Sequence, residues 1–433
     1  MKPVRVGICG LGTVGSGTFN VLTRNAQEIT RRVGCDIIIE QIGARRDNPN
    51  CDTTGINITR DIFDVASNPN VDVVVELIGG YEVALELVLK AIENGKHVVT
   101  ANKALIAVHG NQIFAAAKAK GVTVAFESAV AGGIPIIKAL REGLAANRVE
   151  GLAGIINGTG NFILSEMQEK GRSFPDVLSE AQALGYAEAD PTFDVEGIDA
   201  AHKLTILASI AYGVPLQFDK AYTEGISKVT PEDVAFAQEL GYRIKHLGIS
   251  RDTEQGIELR VHPTLIPERA LLANVNGVMN AVVVDSDAVG QTLYYGAGAG
   301  DEATASAVIA DIVDIARNIS GDSANYVPFL GYQTESLSGR EIMAMDQTET
   351  GYYLRLKAAE KPGVLAAVTK ILGDNDINIE AIMQKESDEQ FVPVILLTQR
   401  VVEHKMNQAI QQIEALQDIV GDVTRIRVEH LQG

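Results

Sequence analysis

Asp199 and Lys203 stand four residues apart, the spacing that places two side chains on one face of a helix within reach of each other. They close a segment, residues 185–203 (GYAEADPTFDVEGIDAAHK), that also carries Glu188, Asp190, Asp194 and Glu196. A solvated surface has no need of so many acids beside one lysine. Carboxylates can hold an ammonium group on a substrate, and Glu188 and Asp194 suit that role. A lysine tuned by burial and neighbouring charge can deliver a proton. Lys103 is the second candidate proton donor. Asp199 is assigned to hold Lys203 in place. If a hydride donor is bound elsewhere in the chain, such a site would suit reduction of a carbonyl, where the protein positions the reactants and relays one proton. His202 adjoins Lys203 in sequence, but a helix turns it about 100° away, and it reads as a packing residue.

These side chains need a scaffold. Residues 198–212 (IDAAHKLTILASIAY) predict a long apolar helix carrying Asp199 and Lys203. Lys103 lies in VVTANKALIA, just after a short strand at 97–100, at the carboxyl end of the strands of an α/β sheet. Ligands bind at that end, although a lysine at a helix start is the simpler alternative.

The same scaffold opens with VRVGIC followed by Gly10-Leu11-Gly12-Thr13-Val14-Gly15 and an amphipathic stretch to about residue 29. This is GxGxxG between a strand and a helix. Gly10 permits the turn, Gly12 lets a pyrophosphate approach the backbone, and Gly15 lets the helix pack close. The free N–H groups of the helix start face the anion. The second strand, 36–44, ends in Arg45 and Arg46 followed by Asp47. Two guanidiniums favour a 2′-phosphate, so NADP(H) is preferred and NAD(H) remains open through Asp47.

Further βα units follow, with strands at 71–78 and 122–127 and a helix at 81–94. Glu127 precedes a bend rich in Gly and Ala. Its carboxylate and nearby carbonyls suit a hard cation, with capping of a backbone turn as the equal alternative. A strand at 148–156 leads into the polar loop Asn157-Gly158-Thr159-Gly160-Asn161, which reads as cleft-facing or as a simple turn. Strand-like runs at 256–264, 279–285 and 289–295 suggest an antiparallel or mixed sheet able to carry subunit contacts. A second glycine-rich turn at 294–304 offers Gly298 and Gly300 for close approach to the cofactor. The helix after it, about 302–318, is expected to pack back on the nucleotide domain.

The fold class is therefore α/β. A Rossmann-type doubly wound domain spans 1–135, completed by the helix at about 302–318. An α+β substrate and dimerisation domain spans 136–301, a polar linker 319–350, and a βαββαβ module 351–430. The length of 433 residues allows several domains. A net charge of -19 argues against a nucleic-acid partner. No run is long and apolar enough for a membrane span, and the N-terminus lacks a signal peptide's apolar region. Cys9, Cys35 and Cys51 form no CxxC pair, which fits reduced thiols in the cytoplasm. There is no HExxH and no nucleophilic triad.

GLGTVG, VVTANKALIA, ESAVAGGIPI, NGTGNFIL, the 185–203 segment and YYGAGAGD occur in that order along the chain. Their combination resembles homoserine dehydrogenase of the long type. KPGVLAAVTKIL with DINIEAIMQ resembles an ACT domain. The resemblance implies reversible NAD(P)H-dependent reduction of L-aspartate 4-semialdehyde to L-homoserine, on the route to threonine, methionine and isoleucine. It implies Lys203 as proton donor, Lys103 beside it on the reacting oxygen, and Glu188 and Asp199 at the substrate, with Tyr186 and Asp194 lining the pocket. Cofactor contacts are implied at Thr13, Val14, Arg45, Lys103, Gly185 and Gly300. A sodium-type site is implied from the Glu127 carboxylate and the backbone carbonyls of Val130, Gly132 and Ile134. The module implies feedback by threonine, and pairing of such modules implies a homodimer or homotetramer. Another NAD(P)-dependent reductase, acting on an amino-acid aldehyde or 2-oxo acid, is the alternative. A nucleotide-binding sensor without turnover leaves both lysines unexplained.

Overall fold

The computed structural model describes residues 2–320, 329–332, 337–384 and 390–430. It divides into two compact units. The first comprises Met1–Gly158, Asp199–Ala221 and Met279–Arg340.

Its centre is a six-stranded parallel sheet: β1 (Val4–Cys9), β2 (Ile37–Gly43), β3 (Asn57–Thr59), β4 (Val73–Glu76), β5 (His97–Thr100) and β6 (Val124–Ala125). The order is β3-β2-β1-β4-β5-β6, the doubly wound arrangement whose switch point lies between β1 and β4. Strands covered on both faces read as continuous apolar runs, and Val73, Val74 and Val75 are each 0% exposed. The helix Asp301–Ser320 sends Ala305, Val308, Ile312 and Ile315 into the same core as Val6, Ile8, Phe19 and Leu22. That spacing is one face of a helix, so this late segment completes the nucleotide domain.

The strands at 36–44, 71–78 and 122–127 are shorter than their apolar runs. The first helix ends at Arg24. Asn25, at φ -102, breaks it, and a second helix runs Ala26–Val33. β3 and the helix Ile62–Ser67 were not legible. The helix is set by the Asp61 side chain accepting from Phe63 N. Strand β7 (Val149–Ile155) pairs antiparallel with Met279–Ser286, which pairs antiparallel with Gly290–Ala297. The helix Ile198–Tyr212 buries nearly every side chain.

The second unit comprises Thr159–Ile198, Tyr222–Val278 and Glu341–Gly433. Strands Tyr242–Thr253 and Gly256–Pro267 form a long antiparallel hairpin. The first of these was missed, because Arg243, Lys245 and His246 interrupt its apolar pattern. The C-terminal elements run strand Glu349–Ala359, helix Val364–Asp374, strands Ile379–Gln384 and Phe391–Val402, helix Glu403–Glu414 and strand Ile419–Val428. This is the expected βαββαβ order. The span 319–350 is less irregular than a linker: the helix continues to Ser320, and Ile342 bridges to Ile257. Residues 321–328 and 333–336 of that span lie outside the described residues.

The last strand, Ile419–Val428, pairs parallel with the hairpin at Thr264↔Arg427 and Leu265↔Val428. A buried ionic layer crosses this join. Arg427, 0% exposed, donates to Glu403 at 2.5 Å and to Glu224 at 2.7 Å, and Tyr352 donates to the same Glu403. Arg260 donates to Glu258 at 2.9 Å and to Glu429 at 2.6 Å. Buried charges need such partners.

Candidate active site

The nucleotide cradle follows from the first turn. Gly10 sits at φ +101, a conformation that costs other residues energy. A Cβ on Gly15 would lie 2.1 Å from the Gly10 carbonyl oxygen, so only glycine lets the helix start this close to β1. Gly12 is the N-cap and makes no side-chain cap; the helix Thr13–Arg24 begins with Thr13 and Val14. A helix start without a capping side chain presents its N–H groups to an anion. Beyond its chain neighbours, no described residue lies within 4 Å of where a Gly12 Cβ would stand, which leaves room for a pyrophosphate. The residues therefore fit a dinucleotide. At the end of β2, Arg45 and Arg46 are exposed. Asp47 is drawn into an ion pair with Arg60 at 2.8 Å.

Lys103 is the first residue of the helix Lys103–Lys120, capped by Asn102 accepting from Leu105 N. A cation is disfavoured at the positive end of a helix. Asp199 offsets this, its Oδ1 lying 2.8 Å from Lys103 Nζ. Asp199 occupies the first turn of its own helix, where a carboxylate is favoured. Its Oδ2 accepts from Lys203 Nζ at 2.7 Å and from Asn157 Nδ2 at 2.9 Å. Lys203 Nζ also donates to the Ile156 carbonyl at 2.7 Å. Asp199 and Lys203 are 5% and 8% exposed, whereas the Lys103 side chain is 40% exposed. Burial acts to raise the Asp199 pKa, but the charges of Lys203 and Lys103 outweigh it and hold the carboxyl well below the usual range. One ionised carboxylate thus clamps two ammonium groups from different elements.

His202 stacks on Phe218 at 4.2 Å, and its Nε2 lies 3.3 Å from the Tyr81 hydroxyl. Burial pushes its pKa down to about 4, so the ring is neutral. This agrees with a packing role.

Tyr186, Glu188, Asp194 and Gly185 belong to the second unit. Gly185 turns at φ +75. Tyr186 is 44% exposed, stands edge-on to Phe162 and accepts the Thr159 hydroxyl on its carbonyl at 2.6 Å. Glu188 is exposed and Asp194 half-buried in the short helix Thr192–Val195. Asp190 accepts from Thr192 N and Oγ1 across the turn that precedes that helix. Glu196 follows the same helix and accepts from Ser227 Oγ at 2.9 Å, tying one loop to another.

Glu127 is 2% exposed, and both its oxygens cap backbone: Oε1 accepts from Ile137 N at 2.9 Å and Oε2 from Lys138 N at 2.8 Å. Burial, then the nearby Asp311, pushes its pKa up to about 7. The backbone at Ala131 (φ 54) and Gly132 (φ 44) is left-handed. The Ile134 carbonyl accepts from Ile136 N at 2.8 Å. Carboxylate oxygens hold more than one acceptor site each, so capping leaves the donor set compatible with a hard cation. Among the described residues, no three His, Cys, Asp or Glu side chains cluster to hold a metal. Gly300 sits at φ +128 just before the helix Asp301–Ser320.

Sequence reasoning placed Asn157 in a loop read as cleft-facing or as a simple turn, but gave no role to it or to the Ile156 carbonyl. Their signal was a polar loop at a strand end, which named no partner.

Family models match in three stretches: the homoserine dehydrogenase NAD-binding domain over residues 10–127, homoserine dehydrogenase over 135–313 and the ACT domain over 352–415. Fold and site define an NAD(P)-dependent oxidoreductase with a C-terminal ACT domain. The chain is 70% identical over its full length to the whole of a homoserine dehydrogenase from Pseudomonas aeruginosa. It matches the crystal structure of a homoserine dehydrogenase from Thiobacillus denitrificans with a TM-score of 0.96, at 62% identity and 99% coverage of both chains. The chain belongs to the homoserine dehydrogenase family. A hyperthermophilic archaeal homoserine dehydrogenase in complex with NADPH matches 72% of this chain and 98% of its own, at 26% identity and a TM-score of 0.62. Among the described residues, no helix is long and apolar enough to cross a membrane.

Proposed function

We propose that this chain reversibly reduces L-aspartate 4-semialdehyde to L-homoserine, with NADPH preferred and threonine acting as feedback ligand through the ACT domain. The observation that carries the reading is the single ionised Asp199 clamping Lys103 and Lys203. A nicotinamide cofactor, when held by the glycine-rich turn, would supply the hydride for the aldehyde carbon.

Lys203 donates a proton to the carbonyl oxygen as negative charge develops there, and Lys103 donates a hydrogen bond to the same oxygen. In reverse, the neutral Lys203 amine takes the hydroxyl proton. Asp199 keeps both lysines in place and stays ionised throughout. Asp199 is assigned to the substrate in the first unit; in the second, Glu188 is assigned to its ammonium group and Tyr186 and Asp194 to substrate contacts, as the family resemblance implies. Gly10, Gly12, Thr13, Val14 and Gly15 hold the pyrophosphate, and Gly185 and Gly300 complete the cofactor contacts. Exposed Arg45 and Arg46, with Asp47 engaged by Arg60, support a 2′-phosphate over a free 2′-hydroxyl. Glu127 with the carbonyls of Val130, Gly132 and Ile134 supplies hard oxygens that suit a sodium-type cation. A homodimer or homotetramer in the cytoplasm completes the reading.

The test is NADPH oxidation with aspartate semialdehyde, repeated with NADH and with added threonine. Turnover should be fastest with NADPH and fall when threonine is added. Equal rates with 2-oxo acids would sink the substrate assignment, and indifference to threonine would sink the regulation.

A further inference from the structure

Strand β7 ends where the lysine–carboxylate cluster begins. The Ile156 carbonyl receives Lys203, and the next side chain, Asn157, donates to Asp199. We propose that Asn157 is a positioning residue that fixes the plane of the Asp199 carboxylate, so that one oxygen serves each lysine. The inference rests on the reading of Lys203 as proton donor.

The last torsion of an aspartate is broad and roughly two-fold, so its rotamer does not set the carboxylate plane. The two ammonium groups do not set it either, because each carries three rotatable donors that follow whichever oxygen is offered. A planar amide N–H with one direction does set it. Asn157 is 6% exposed, and its strand is anchored by the pairing of Ile155 with Ala281. Its Nδ2 shares Oδ2 with Lys203, which leaves Oδ1 to Lys103. Without the amide the carboxylate can turn both oxygens to one lysine and release the other. The amide is also neutral. It stabilises ionised Asp199 without adding a third positive charge that would compete with the lysines. All these atoms lie in the first unit.

The test compares Asn157→Ala, Asn157→Asp and Lys203→Ala in the full-length enzyme with aspartate semialdehyde and NADPH. Asn157→Ala should lower kcat by roughly 10- to 100-fold through misplacement of the pair, with the Kd for NADPH and the Tm nearly unchanged. Asn157→Asp faces Asp199, Lys203 and Lys103. Two carboxylates so close share a proton, and the protonated form donates as the amide does. Its kcat relative to wild type should therefore rise as pH falls. A kcat within twofold of wild type for Asn157→Ala, a loss that tracks equal losses in Tm and NADPH affinity, or a flat pH ratio for Asn157→Asp overturns the inference. An inactive Lys203→Ala beside an unaffected Asn157→Ala overturns it alone. A Lys203→Ala that keeps turnover overturns the lysine reading as well.

Discussion

Lys203 in the first unit and Lys245 in the second are both buried, and the two are surrounded differently. Lys203, in the first, shares a carboxylate with Lys103 and touches one backbone carbonyl. Lys245, in the second, is 0% exposed and donates to the Val275 carbonyl at 2.6 Å, to Asn276 at 3.0 Å and to Asn161 at 3.3 Å. These acceptors are neutral oxygens. Burial, with Arg243 adding to it, pushes the Lys245 pKa down to about 8. Depth alone therefore does not single out a reactive lysine. What sets Lys203 apart is a charged partner shared with a second lysine, and the proposed role of proton donor rests on that.

The sharpest way to break this comparison is turnover. Lys203→Ala should lower kcat by about 10³-fold, within the range for loss of a general acid, while Lys245→Met should stay close to wild type. Comparable losses in both would erase the distinction. A smaller effect, on stability, tests the claim that buried charge in the second unit is structural. Arg427→Met leaves Glu403 and Glu224 without their shared cation and should cost about 3–5 kcal/mol, read from denaturant midpoints. An unchanged midpoint would refute that role.

The smallest effect is a pH slope. Below about pH 8 Lys245 is protonated in both folded and unfolded chains, and its burial cost is constant. Between about 8 and its ordinary 10.5 the unfolded chain holds a proton that the folded chain has released. Stability then rises with pH, by about 3 kcal/mol across that window. Lys245→Met should lack this rise, and identical slopes in the two proteins would count against the depressed pKa.

Where side-chain pattern and surroundings agree, the sequence was readable. The strand His97–Thr100 and the helix Ile198–Tyr212 fall where their apolar patterns place them. The helix Asp301–Ser320 packs in the nucleotide core as its apolar face requires. Tyr242–Thr253 was hidden because its interior includes Lys245 and His246, polar residues bonded to distant partners that no local pattern announces. The site divides in the same way. The Asp199–Lys203 spacing is local and was legible. The contacts of Asp199 with Lys103 and Asn157 join residues far apart in the chain and were not. For Glu127, sequence left capping and cation binding level; the structure establishes the capping hydrogen bonds.

The parallel pairing of Ile419–Val428 with the hairpin also bears on biosynthesis. Arg260 and its partner Glu429 are 169 residues apart. Chains emerge from the ribosome N-terminal end first. Arg260 must therefore wait, in an unfinished hairpin, until those 169 residues have been made. Such distant pairings form slowly. The strand Ile419–Val428 is thus the keystone of the second unit, and a deletion within it removes a late, long-range core pairing rather than a loose end.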